Sequence, residues 1–333
     1  MSWPNLTIRL KQRVVGLLDY ESRCNLRLSS KDDRDAVDST KLKFQLLKIK
    51  EISSKMSQGK TIIRCDMDTL TVWLIGKKNL TRIDRGWNGE IVKELSETRQ
   101  ENRYDILNRF LIYFTNKGVI EAESVEIEGV HFHPPSNWKP KCKNLTLFNI
   151  ENQYFLSWMP KFLEVSRKFR KLEIQVLGEE EEFGVWSMIK DLEVTETLKL
   201  NHEAMMTDQE LLRFGALNFR VESTWVTEDG ARKRLEKYLK FGTEDDILDL
   251  RIPEVENFNA FEQIFSKHWI MKVIPREHLR QEEYSGKILG GFENIHGNLE
   301  PRQIDVSIYG ETIRIWCAVF TPRPRFPCQL YPF

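Results

Sequence analysis

Apolar residues open the chain at helical spacing. Leu6, Leu10, Val14, Leu17 and Leu18 recur every three or four positions, which places them on one face of a helix. Thr7 stands where a cap is needed, its hydroxyl able to accept from an amide of the first turn. Asp19 and Tyr20 interrupt the pattern, and Ser22 to Leu28 predicts a second short helix, with Cys24 and Leu28 on one side and Leu26 beside them. Ser30 then caps a third, Lys31 to Val37, whose first turn is crowded with aspartates where the helix dipole favours them. Segments below about 40 residues rarely bury a self-sufficient core. The apolar face must be covered by the rest of the chain or by another protein.

The period then changes. Phe44 to Ile52, Thr61 to Cys65 and Leu70 to Ile75 predict strands, punctuated by Gly59 and Gly76. Glu101 to Asn116 predicts an amphipathic helix carrying Ile106, Phe110 and Phe114, with Gly118 as its C-cap. Beyond it, pairs of apolar residues two apart recur: Val125 and Ile127, Leu145 and Leu147, Leu172 and Ile174. Leu198 and Leu200, Phe219 and Val221, and Leu248 and Leu250 continue the series. Their separations lie roughly between 20 and 29 residues, the range of leucine-rich repeats. Helix-like runs lie between them at 154–167, 185–192, 208–214, 228–240 and 258–269, with Thr207 and Thr227 as caps. A strand–helix unit of this size cannot bury both faces alone, so stacked neighbours would share one core. The expectation is parallel strands near residues 125, 146, 173, 199, 220 and 249, side by side in chain order. An ordinary α/β sandwich with a mixed sheet is the rival arrangement.

Composition narrows the functional classes. Lys and Arg balance Asp and Glu at 50 each, so no global field draws the chain to nucleic acid or an anionic membrane, although a local basic patch stays open. The start lacks a signal-peptide pattern, and the best apolar run, Ile313 to Phe320, is broken by Arg314 and far too short to span a bilayer. The expected location is the cytoplasm or nucleus. Cys24, Cys65, Cys142, Cys317 and Cys328 lack zinc or disulfide spacing and are expected as free thiols. Without a secretory signal, the sequons at Asn5, Asn79 and Asn144 carry no glycosylation reading. His131-Phe132-His133 has no third metal ligand nearby and reads as loop histidines. The acidic run Glu179 to Glu182 reads as a solvated loop, and the basic, proline-rich 322–327 as a tail along the body. No phosphate-binding loop or nucleophile motif is present, so the chain is expected to be neither an enzyme nor a cofactor or metal binder.

The order Leu6-Thr7-x-x-Leu10-x-x-x-Val14-Val15-x-x-Leu18-Asp19, then Arg23-x-x-Leu26-Arg27-Leu28-x-Ser30-Lys31, resembles an F-box. Thr7 stands where that family usually has proline, which pre-sets the first helical turn, and Arg9 where it has an acidic residue. Residues 22–35 are similar to the greatly expanded nematode F-box family. Thr207-Asp208-x-Glu210-Leu211-Leu212, Val226-Thr227-Glu228-Asp229 and Leu248-x-Leu250-x-Ile252 resemble its F-box-associated region, with Gly230 where an Asn is usual and Tyr238-Leu239-Lys240-Phe241 for Phe-Leu-Lys-x-Trp. Arg302 to Trp316 resembles its closing strands, with Gly310 before the last one.

The resemblance implies an α/β protein: a small three-helix N-terminal F-box, then an irregular leucine-rich-repeat-like α/β solenoid. The implied parts are an F-box at 1–40, a β-rich linker layer and helix at 41–118, and a recognition domain at 119–333. It further implies a substrate-recognition adaptor of a cullin-RING ubiquitin ligase. Leu6, Leu10, Val14, Val15, Leu18, Leu26 and Leu28 would meet a Skp-family linker protein, and through it cullin, while the body binds a target protein. The rival reading is a scaffolding repeat protein whose N-terminal helices only cap the body.

Overall fold

The computed structural model describes residues 3–53, 61–77, 79–114, 118–178, 182–243, 246–252, 269–273, 283–293, 299–309 and 312–318. The chain divides into two compact units, Met1–Glu180 and Glu181–Phe333. Among the described residues no helix is long and apolar enough to cross a membrane. Of the helix expected at 258–269, Trp269 begins a strand instead, and of the acidic loop expected at Glu179–Glu182, Glu182 begins a helix; the rest of both and the 322–327 tail lie outside the described residues.

In the first unit, a 3-10 turn (Trp3–Asn5) precedes α1 (Ile8–Val15), α2 (Tyr20–Arg27) and α3 (Lys31–Asp38). A sheet follows from β1 (Lys43–Ser53), β2 (Thr61–Met67), β3 (Leu70–Lys77), β4 (Leu80–Trp87) and β5 (Glu90–Arg99), an antiparallel meander. Asn88 and Gly89 join β4 to β5 at φ 51° and 87°, the doubly left-handed geometry that lets a two-residue turn match the strand twist. After α4 (Arg103–Phe114) the chain returns to the other side of β1. There β6 (Val119–Glu128), β8 (Asn144–Glu151) and β9 (Lys168–Leu177) pair parallel in that order, with the short β7 (Lys139–Lys141) beside β6. Residues on both sides of the expected 118/119 boundary therefore share one sheet. α5 (Asn152–Leu163) packs on β7, β8 and β9. Its Phe155, Trp158, Met159 and Phe162 are buried, and Trp138 meets Trp158 edge-on at 5.2 Å.

The apolar pairs lie in register. Val125, Leu145 and Leu172 are neighbours across the sheet, as are Ile127, Leu147 and Ile174, and all six are buried. The second unit repeats the device. After α6 (Glu182–Ile189), β10 (Glu193–Glu203), β11 (Asn218–Glu222) and β12 (Ile247–Ile252) pair parallel in chain order. Leu198, Phe219 and Leu248 align, and Val221 aligns with Leu250. α7 (Asp208–Arg213) and α8 (Glu228–Phe241) are the crossover helices. β13 (Trp269–Val273), β14 (Glu283–Glu293), β15 (Leu299–Tyr309) and β16 (Thr312–Ala318) complete the unit as an antiparallel meander, with β16 against β12. The sheet in each unit is therefore mixed.

The caps explain one departure from the resembling family. Thr207 makes a full capping box with Glu210, and the Thr227 hydroxyl accepts from the Gly230 amide. The Asp208 carboxylate accepts from the Thr227 amide at 2.8 Å and its hydroxyl at 2.5 Å. A Cβ on residue 230 would collide with that carboxylate, so glycine fits where the family usually has asparagine.

On β10, His202 has no hydrogen-bond partner for either ring nitrogen among the described residues, and burial pushes its pKa down to about 4. The folded chain therefore favours neutral imidazole. The unfolded chain takes up a proton near the ordinary value of 6.5, so this stability is fully present above that pH and is lost as pH falls toward 4. Unfolding by denaturant should show the wild type weaker at pH 5 than at pH 8 by about 2 kcal/mol beyond any change in a His202→Gln chain. Equal slopes in the two chains would contradict the assignment.

Candidate partner-binding site

α1 is amphipathic, but its faces are reversed from those of a self-contained bundle. The residues turned inward are Lys11 and Val15, both buried. Those turned outward are Leu10, Val14 and, just past the helix, Leu17, all exposed large apolar side chains. The Lys11 ammonium is accommodated because Asp33 of α3 faces it at 3.5 Å and the Trp3 ring lies 5.5 Å away. The Ser30 hydroxyl, then the Trp3 indole, hold the Asp33 carboxyl below the usual carboxylate range, and Trp3 Nε1 donates to it at 2.8 Å.

Local caps shape the other two helices. The Asp19 side chain accepts from the Ser22 amide at 2.7 Å, and the Ser30 hydroxyl from the Asp33 amide at 3.1 Å. Thr7 differs from the expectation: its hydroxyl makes no cap bond, although its φ of −63° is what a proline would impose. α2 ties the helices to the sheet and α4. Arg23 donates to the carbonyls of Leu18 and Lys41 at 3.1 and 3.2 Å. Arg27 forks onto Asp38 and also donates to the Tyr113 hydroxyl at 3.2 Å, and Tyr20 lies 6.4 Å from the Trp87 ring.

The seven residues expected to meet a partner divide into three groups. Leu10, Val14 and Leu28 are exposed, and Leu6, Leu18 and Leu26 are half-buried. Val15 is fully buried and belongs to the helical core, because its place four residues after Lys11 turns it inward. Val14, Leu18 and Leu26 line one shallow hollow of about 400 Å³ together with Trp3, Ser22 and Asn25. Leu17 extends the outward face, and Trp3 edges the hollow; the apolar spacing already pointed to Leu17, but nothing in the pattern marked Trp3.

The remaining sequence candidates bring no chemistry together. His131 and His133 are exposed, and His131 lies between Glu51 at 3.4 Å and Glu151 at 3.5 Å. Among the described residues no group of His, Cys, Asp or Glu is arranged to hold a metal ion. Cys24, Cys65 and Cys142 are free thiols, and burial pushes Cys65 and Cys142 well above the ordinary thiol pKa. Cys328 and the side chain of Cys317 lie outside the described residues. Compared with known proteins, the chain matches no family model, no curated protein and no solved structure.

Proposed function

We propose that this chain is a substrate-recruiting adaptor of a cullin-RING ubiquitin ligase, docking a Skp-family linker protein on its N-terminal helices and a target protein on its body. The observation that carries the reading is the reversed α1: aliphatic side chains face outward while a lysine is buried beneath. Such an arrangement costs stability in isolation and is recovered when a partner covers the apolar face. The resemblance of residues 6–35 to an F-box names that partner. The in-register apolar pairs support reading the body as irregular leucine-rich-repeat-like units stacked as a solenoid. The chain would make no bonds itself; it would hold the target near the ubiquitin-charged enzyme and so raise its effective concentration.

Co-expression with a Skp-family linker and cullin tests this. One complex should survive size-exclusion, and Leu10→Asp should dissolve it; separate elution of the wild type contradicts the reading. Thr7→Pro should tighten linker binding slightly, about two- to threefold, since it pre-sets a first turn that has no side-chain cap bond and so lowers the ordering cost of docking. Weaker binding by that variant would show that the first turn must move on docking.

A further inference from the structure

We propose that the edge of the first unit where its parallel strands begin is a docking surface for a short acidic segment of a partner protein. This rests on the adaptor reading only in taking that partner as the recruited target. A hollow of about 550 Å³ lies there, floored by the buried Phe44, Ala122, Cys142 and Phe169. Strand alternation turns the flanking residues away from that floor. Five cations, Lys43, Lys141, Lys143, Lys168 and Arg170, surround the hollow against two carboxylates, Glu121 and Glu123. The whole chain is neutral, so this gathering of cations is local; Lys168 and Arg170 have further partners of their own, and Lys43, Lys141 and Lys143 are the cations offered to a partner.

The hollow already seats carboxylates. Glu123 lies between Lys143 Nζ at 2.8 Å and Arg170 Nη1 at 3.3 Å, and the Lys143 ammonium, then Arg170, hold its carboxyl below the ordinary range. Glu121 lies 3.9 Å from Lys41 and 3.7 Å from Lys43. The lysine side chains are 72% exposed at Lys43 and 62% at Lys143. Ion pairs this exposed contribute little, so a partner's carboxylates can share Lys43 and Lys143 at small cost, with Lys141 beside them on the same lining. β1, β6, β8 and β9 are adjacent, and at about 4.8 Å per strand their starts span roughly 14 Å, the length of about five extended residues. Nucleic acid suits the surface less well. Both aromatic rings at the hollow, Phe44 and Phe169, are buried and offer no face to a base.

Fluorescence anisotropy on the full chain tests the proposal with three probes. These are a labelled peptide of about eight residues alternating Glu and Ser, its Gln-for-Glu twin, and a single-stranded oligonucleotide. The acidic peptide should bind at least about tenfold more tightly than its twin, and raising salt from about 50 to about 300 mM should weaken it about tenfold. Lys141→Glu with Lys143→Glu should lose at least about tenfold with an unchanged melting temperature, and Glu123→Gln should strengthen binding about threefold by removing an internal competitor. If the doubly substituted chain fails to fold, Lys141→Ala gives the same comparison with a smaller loss. Equal binding of the two peptides, indifference to these substitutions, or tighter binding of the oligonucleotide would overturn the proposal. Linker binding, titrated on the same charge-reversed chain, should be unchanged. Its absence in the wild type would sink the adaptor reading and leave the acidic-segment result standing.

Discussion

Val14→Asp is expected to weaken linker binding by at least about a hundredfold, roughly 3 kcal/mol, while moving the melting temperature by no more than a degree or two. Val14 is 39% exposed, so the aspartate is solvated in the free chain and loses that solvation only when a partner closes over it. Its neighbour should behave in the opposite way. Val15 is fully buried, and an aspartate there would lose its hydration beside a Lys11 ammonium already engaged by Asp33. Val15→Asp should cost several kcal/mol and lower the melting temperature by about 10 °C. If Val14→Asp instead melts the protein by several degrees, α1 is a structural cap and its outer face is not a docking surface.

Arg234→Met should destabilise the second unit by about 2–4 kcal/mol, read as a shift in the denaturant midpoint. Arg234 on α8 is 1% exposed; its two terminal nitrogens donate to backbone carbonyls, while Nε has no hydrogen-bond partner among the described residues. The guanidinium donates to the Phe214 carbonyl at 2.8 Å and to the Ala216 carbonyl, and stacks 4.3 Å over the Phe219 ring. Lys237 adds a donor to the Phe214 carbonyl at 3.0 Å. These carbonyls lie just past the C-terminus of α7, where the helix dipole favours cations. Burial pushes Arg234 down to about 10, which still leaves it charged at neutral pH. Methionine keeps the volume but leaves the Ala216 carbonyl buried without this donor. Arg234→Lys should recover little, because an ammonium cannot reproduce the planar fork or its stacking. A loss below about 1 kcal/mol would mean that water reaches these carbonyls.

Much of the architecture was legible because its signals are local. The helical spacing from Leu6 to Leu18, the caps Ser30, Thr207 and Thr227, and the apolar pairs on β6 and β8–β12 each depend on residues within a few positions of one another. β4 and β5 are absent from the expected strands because Arg82, Asp84, Arg85 and Glu97 obscure their alternation. The Asn88-Gly89 pair between them is nevertheless a direct hairpin signal. β7 is too short to leave a pattern. The site was legible in composition but not in orientation. Val14 and Val15 are both apolar valines, and what turns one outward and the other inward is the packing of α1 on α3. Lys11 can occupy the inner face only because Asp33 stands opposite it, a pairing that no local spacing announces. The basic hollow is similarly non-local, since β1, β6, β8 and β9 bring its lysines together from widely separated stretches.

Calorimetric titration of the full-length chain with a purified Skp-family linker protein tests the central claim most directly. The account predicts one-to-one binding with a dissociation constant on the order of micromolar or tighter, and a negative heat-capacity change as the outward face of α1 is buried. No binding by the folded wild-type chain at roughly tens of micromolar would contradict it.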